Sequence, residues 1–269
     1  MGIVIGIALM ALGIGLFIAR SVQANKLLQI KGTETSRVKD LADLAGEVAR
    51  EMGAGSFNQV TEIKGKAVSD APLTSELAQA ACVYYSMRVT REYEEMVWET
   101  DANGNRVQRT RRGQETVAQN VRSTPFRADD GSGLILVRPD GAQMIAEKAF
   151  SQFQPGDVQG TTLTFGRLNF NLGGLNLGGR RTLGYRYEEE IIPLGRELYI
   201  LGEVVDAGGE LAVQKPSDKK GRFIISCKSE EELVRGTASA ITALLVTGLI
   251  SGIGGAALLV LALTGAIHF

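Results

Sequence analysis

Charge is missing from both ends of this chain. No Lys, Arg, Asp or Glu occurs in residues 1–19 or 236–269, so all 29 basic and 30 acidic residues fall between Arg20 and Arg235. A net charge of -1 and 22% charged residues hide this arrangement, because both values suit an ordinary soluble protein. The first run, MGIVIGIALMALGIGLFIA, would as a helix measure about 28 Å, close to the roughly 30 Å hydrocarbon core of a bilayer. The second, residues 237–267, would reach about 46 Å, more than one crossing needs and too little for two. Tilt or an interfacial turn would absorb the excess, with Gly252, Gly254 and Gly255 as a bend.

The pattern predicts a membrane protein: two transmembrane helices, 1–19 and 237–267, flanking a charged domain over 54–235. The bilayer is thus the first expected partner. Gly248, Gly252 and Ala256 recur every fourth residue, the small-xxx-small spacing that lets helices approach closely. The stripe fits packing on the first helix, a homo-oligomer, or incidental glycine use. Val22-Gln23-Ala24 offers a signal-peptidase site, but the segment has no basic n-region and its apolar run is long, so an uncleaved anchor is expected. Five basic residues follow the first span and five precede the second, which by the positive-inside rule predicts a cytoplasmic domain, although the rule weakens across so long a loop.

Residues 35–53 read as an amphipathic connecting helix, with Val38, Leu41, Ala45 and Val48 at helical spacing and Gly53 as the stop. Strand patterns follow at 62–68, 82–89, 133–138, 185–192, 197–205, 210–214 and 222–227, with a turn at Asp101–Asn105, centred on Asn103, between two strand-like arms. Short strands at this density imply a β-rich (α+β) barrel- or sandwich-like domain. The pieces 63–75 and 200–213 share a strand-Gly-strand shape, as related halves of a barrel or as repeated turn chemistry. Residues 154–184 are glycine-rich yet keep Leu163, Phe165, Leu168, Phe170, Leu172, Leu175 and Leu177. They read as a loop over the core, or as a flap for a membrane or partner. Ser229 with Glu232 forms a capping box, so a helix starts there and runs into the second span.

The chemistry is bounded by what the chain lacks. His268, the only histidine, lies beyond the second span, so no histidine triad can form in the domain. Cys82, Cys227 and His268 make three soft ligands where one structural zinc takes four, so neither a metal site nor a cofactor is expected. No phosphate loop occurs, and the balanced charge gives no reason to expect nucleic acid as a partner. The two cysteines read as buried thiols, or as a disulfide in an oxidising compartment. Glu188-Glu189-Glu190 and the run Arg109, Arg111, Arg112 read as solvated faces. A Ser-Lys hydrolase has no distinguishable pair.

The order of several landmarks resembles the GIDE/BAM-domain family, the membrane E3 ubiquitin ligases of the MULAN/MAPL type. These are Lys64–Val68 with Lys66, Cys82, Glu95–Trp98, Ser123–Phe126 with Pro125, Tyr187-Glu188, Gly202-Glu203, and Phe223–Ser226. The resemblance covers about residues 60–235 and implies a core position for Trp98. It also implies a domain across the membrane from the cytosol, against the charge rule. Eukaryotic members carry a RING finger after the second span, whereas this chain stops at Phe269. The expectation is therefore a RING-less, non-enzymatic interaction or scaffold domain for an unknown protein partner, in envelope organisation or quality control. The alternatives are an E3-like protein using a RING in trans, and a membrane-anchored hydrolase.

Overall fold

A computed structural model describes residues 2–101, 104–156, 162–165, 168–171, 180–206 and 209–264. In chain order its elements are α1 (Gly2–Gly32), α2 (Val38–Met52), β1 (Asn58–Val68), β2 (Leu73–Thr74), β3 (Ala81–Thr100), β4 (Arg106–Ser123), β5 (Phe126–Asp129), β6 (Leu134–Val137), β7 (Gln143–Ile145), β8 (Glu147–Pro155), β9 (Thr162–Phe165), β10 (Leu168–Asn171), β11 (Arg180–Pro193), β12 (Glu197–Asp206), β13 (Leu211–Gln214), β14 (Ile224–Ser226) and α3 (Glu230–Leu263). The expected turn holds through Asp101 N–H on the Asn105 carbonyl at 2.8 Å; Asn103 itself, like Leu172, Leu175, Leu177 and His268, lies outside the described residues.

Strands β1, β5, β6, β13 and β12 pair in that order, and β12 pairs back onto β1, which closes a five-stranded barrel. Closure leaves no free edge within the ring. The two similar sequence pieces are adjoining staves, with Ile63 opposite Ile200 and Gly65 opposite Leu198. Crowding explains their glycines: a Cβ at Gly65 would lie 2.9 Å from the Asp129 carbonyl oxygen, and one at Gly202 would lie 3.0 Å from that of Gln214. Ile63, Ile200, Val204, Val137 and Phe126 fill the interior, and α2 closes it with Val38, Leu41 and Ala45. Arg37 gives α2 no side-chain cap. Asp130, 92 residues away, takes that role by accepting from Val38 N–H at 2.8 Å.

On β12, Leu198 and Ile200 face the barrel, while Tyr199 and Leu201 alternate to its outside and pack with Ile30 of α1 and Leu233 of α3. Both long helices are thereby rooted on the barrel wall. The Ser229–Glu232 capping box forms as the sequence indicated, and α3 runs unbroken through Gly252, Gly254 and Gly255, so the expected bend is absent.

Both α1 and α3 are long and apolar enough to cross a membrane. They pack along each other antiparallel. A Cβ at Gly6 would lie 3.0 Å from the Gly255 carbonyl oxygen and one at Gly13 would lie 3.1 Å from Gly252 N, while Ser251 Oγ donates to the Leu9 carbonyl at 2.9 Å. Gly248 and Gly255 are buried in this seam, whereas Ala256 is exposed, so the seam follows Gly248, Ser251 and Gly255 rather than a strict four-residue repeat ending at Ala256. Extended along the helices, this register sets Arg20 level with Ala243. The uncharged stretch 237–243 then stands beside the polar end of α1, which accounts for the apparent excess length of the second apolar run.

The second sheet holds β4, β3, β11 and β8 side by side, with β2 continuing the β4 side of β3. Its core comprises Cys82, Tyr85, Met87, Val89, Tyr185, Tyr187 and Ile191. The β9–β10 hairpin covers it: Phe165 stacks on Tyr187 with centroids 4.1 Å apart, and Phe170 lies 6.4 Å from the same ring.

Candidate functional site

Strands β3 and β4 form a hairpin that outruns its neighbour. The pairing of β11 with β3 ends at Arg180 opposite Glu95, whereas β3 and β4 remain paired to Thr100 opposite Arg106. Beyond Glu95 the described strands form a two-stranded ribbon of β3 and β4, whose residues keep water contact on both faces.

An ion network anchors the ribbon's base. Arg91, 1% exposed, donates to Thr182 Oγ1 at 2.9 Å, Glu115 at 2.8 Å and the Arg180 carbonyl at 3.2 Å. Arg180 reaches Glu95 at 2.9 Å and places its guanidinium 4.5 Å from the Tyr93 ring. Arg111 meets Glu95 at 2.6 Å, and the Arg111 and Arg180 hydrogen bonds hold the Glu95 carboxyl below its usual range. Gly113 leaves room for the Tyr93 ring laid across it, since a Cβ there would lie 2.6 Å from Tyr93 Cζ.

Past this anchor the opposite face presents Met96, 69% exposed, and Trp98, 60% exposed. The expected core position of Trp98 is therefore corrected. Among the described residues no strand pairs with this part of β3 on the β11 side, and no side chain packs over the Trp98 ring apart from that of Arg106. The Arg106 guanidinium lies 5.9 Å from the Trp98 ring, and Gln108 Nε2 lies 3.1 Å from the Met96 sulfur. Exposed Trp, Met and Arg are the residue types enriched in protein interfaces and their energetic centres.

A second feature lies where α3 leaves the barrel, a depression of about 340 Å³ lined by Lys64, Arg196, Tyr199, Cys227, Lys228 and Glu230, among others. Lys64 Nζ sits 2.9 Å from Glu230 and 3.0 Å from buried Glu62, which also accepts from Thr35 Oγ1 at 2.6 Å. The Glu230 hydrogen bond raises the Lys64 pKa, so the amine stays protonated, and burial followed by the Glu62 charge raises that of the Tyr199 phenol. Burial pushes the Cys227 thiol up to about 11. None of these groups is poised as a nucleophile at neutral pH, and the cluster ties β1, β12 and α3 together.

The residues named from sequence do not converge. Cys82 and Tyr187 lie in the second core, Phe126 and Gly202 in the barrel, Lys66 and Pro125 on the surface, and Trp98 on the ribbon. Glu188 is half-buried and pairs with Lys148 at 3.2 Å. Glu203 is buried, accepting from Ser217 Oγ at 2.8 Å and from its N–H at 3.1 Å. Cys82 and Cys227 are buried free thiols in separate cores. Glu189 corrects the solvated reading of its acidic run. Fully buried, it accepts three backbone N–H bonds from Glu76, Leu77 and Ala78 at 2.8, 3.0 and 2.8 Å. Arg109, Arg111 and Arg112 are exposed, as expected of a solvated run. Among the described residues no cluster of three or more His, Cys, Asp or Glu side chains could hold a metal ion.

Comparison with known proteins bears on this arrangement. The family model GIDE, described as E3 ubiquitin ligase, matches residues 95–262, which take in the hairpin ribbon, the barrel strand β12 and most of α3. E3 ubiquitin-protein ligase SPL1 of Arabidopsis thaliana is 26% identical over 120 residues, covering 42% of this chain and 32% of that protein. The chain thus spans about a third of that relative's length. No solved structure matches. With the matched region reaching across both sheets and into the second long helix, the chain belongs to the GIDE family.

Proposed function

We propose that this chain is a membrane-anchored, non-catalytic interaction module of the GIDE family, held in the bilayer by α1 and α3, which presents the β3–β4 ribbon to a protein partner. The observation that carries this reading is the exposure of Met96 and Trp98 on a projecting ribbon rooted by buried Arg91. A scaffold of this kind would serve envelope organisation or quality control. A second reading, favoured by the family match, is a ligase component. Two RING zincs need eight ligands and these 269 residues hold two Cys and one His, so the RING would have to come from outside this stretch. A photo-crosslinking residue at position 98 in the native host, with position 70 as an exposed control, tests both. Adducts specific to position 98 support the module, RING or conjugating components among them favour the second reading, and no adduct at position 98 overturns the first.

The basic residues beside the spans support a cytoplasmic domain. Asp70, its side chain 97% exposed, is a suitable position for a single introduced cysteine, because both native thiols are buried. Protection of Asp70→Cys from an impermeant thiol reagent until the membrane is opened is the expected result, and labelling of intact spheroplasts would reverse the assignment.

A further inference from the structure

We propose that the outer edge of β4, from Arg106 to Gln114, is a docking edge for an extended acidic segment of a partner polypeptide, which adds to the sheet as a further strand. The proposal rests on the interaction-module reading and names the chemistry of the partner.

Strand β4 pairs only with β3 among the described residues, which leaves one edge of an 18-residue strand without a neighbour. The phase of that edge follows from the turn. Asp101 N–H donates to the Asn105 carbonyl at 2.8 Å, which makes these two a hydrogen-bonded pair. In an antiparallel ladder such pairs alternate with unbonded ones. Val107, Arg109, Arg111 and Gly113 therefore turn their backbone groups toward β3. Arg106, Gln108, Thr110, Arg112 and Gln114 turn theirs outward. No proline interrupts β4. Along this length its register with β3 is unbroken, the irregularity coming at Val89/Thr90. Such a row of free N–H and C=O groups is a template for an added strand.

Charge then selects the occupant. Strand β4 carries Arg106, Arg109, Arg111, Arg112 and Arg122 against one acid, Glu115. Glu99 and Glu95 pair with Arg109 and Arg111. Arg106 and Arg112 make no ion pair among the described residues. Both belong to the outward-bonding set and stand on the face that carries Met96 and Trp98, about 20 Å apart along the strand. Basic side chains on an edge repel a like-charged strand, so a second copy of β4 would meet its own sign. A strand with carboxylates at positions i and i+6 would place one opposite each arginine on that face.

The test uses the full chain in phosphatidylcholine nanodiscs and a fluorescein-labelled short peptide of alternating Glu and Val, read by anisotropy. Saturable binding is expected, about ten-fold weaker for the Lys and Val counterpart and for Arg106→Glu/Arg112→Glu. Thr110→Pro removes one outward N–H while sparing the β3 side, and should abolish binding with an unchanged melting point. If that variant melts early, the double arginine reversal decides, since it alters no backbone group. Equal binding of both peptides, or no saturable binding at millimolar concentration, would overturn the proposal. So would binding that survives Thr110→Pro in a folded variant, or a dimer of the chain alone that Thr110→Pro dissolves, which would give the edge to a second copy. Position 98 adducts would still stand in any of these cases, so the broader reading fails or survives separately.

Discussion

The barrel stave β12 and the ribbon strand β4 are both extended, yet they live in opposite environments. β12 has a strand on each side and apolar cover on both faces, with Leu198 and Ile200 inside and Tyr199 and Leu201 against the helix roots. Among the described residues β4 has one partner strand, and every one of its residues keeps some contact with water. The stave holds the fold together, and the ribbon borrows its order from β3 and the ion network at its base. Strand pairing alone therefore says little about where stability resides; cover on both faces decides it.

The sharpest way to break this comparison is in the barrel. Ile200→Ala should cost roughly 3–5 kcal/mol, because Ile200 is fully buried and the closed ring cannot collapse onto the gap. Chemical denaturation of the full chain in detergent reads this, and a loss under about 1 kcal/mol would show that the barrel interior is loosely packed. Next comes the second sheet, where Glu189→Leu should cost about 3 kcal/mol by leaving the N–H groups of Glu76, Leu77 and Ala78 without an acceptor. The same denaturation checks it, and an unchanged midpoint would mean that water replaces the carboxylate.

The α2 cap should respond more mildly, with Asp130→Ala costing about 1 kcal/mol. Burial works to raise the Asp130 pKa, but hydrogen bonds from Val38 N–H, the Ser132 hydroxyl and N–H, and Gly133 N–H outweigh it, so the folded value lies below the usual one. Its stabilising contribution is thus complete above the unfolded aspartate range, about pH 4, and is lost as pH falls through the lower folded value. Acid titration should destabilise the wild type more than Asp130→Ala in that window, and parallel curves would refute the linkage. The smallest effect is expected on the ribbon. Trp98→Ala should shift stability by less than about 0.5 kcal/mol, and wild-type Trp98 fluorescence should be freely quenched by iodide. A large loss of stability would place Trp98 back in a core.

Much of this architecture can be read from residues. The apolar ends, the capping box at Ser229 and the alternation in 197–205 and 185–192 each have a local cause. Trp98 could not be placed that way, because its exposure depends on what packs over the far end of the β3–β4 hairpin rather than on anything within Glu95–Trp98. Glu189 was legible in part. The alternation Tyr185, Tyr187, Glu189, Ile191 sets it on the inward face, but its acceptor role depends on Glu76, Leu77 and Ala78, distant in sequence. Asp130 capping α2 is equally non-local. The buried anchor Arg91 was legible to the same extent: the alternation Tyr85, Met87, Val89, Arg91, Tyr93 sets it inward, but its partners Glu115, Thr182 and Arg180 come from two other strands.

The two-point rooting of α1 and α3 on one barrel wall has a mechanical consequence. A domain hung from a single helix can swivel about its linker, whereas one gripped by both Ile30 and Leu233 must turn with the helix pair. β3 is 20 residues long, about 65 Å end to end. Hydrophobic mismatch changes helix tilt. A tilt of about 10° would carry the end of a lever that long through about 11 Å. A change of helix tilt would thus be carried through the barrel wall to the far end of the β3–β4 hairpin, where Trp98 lies.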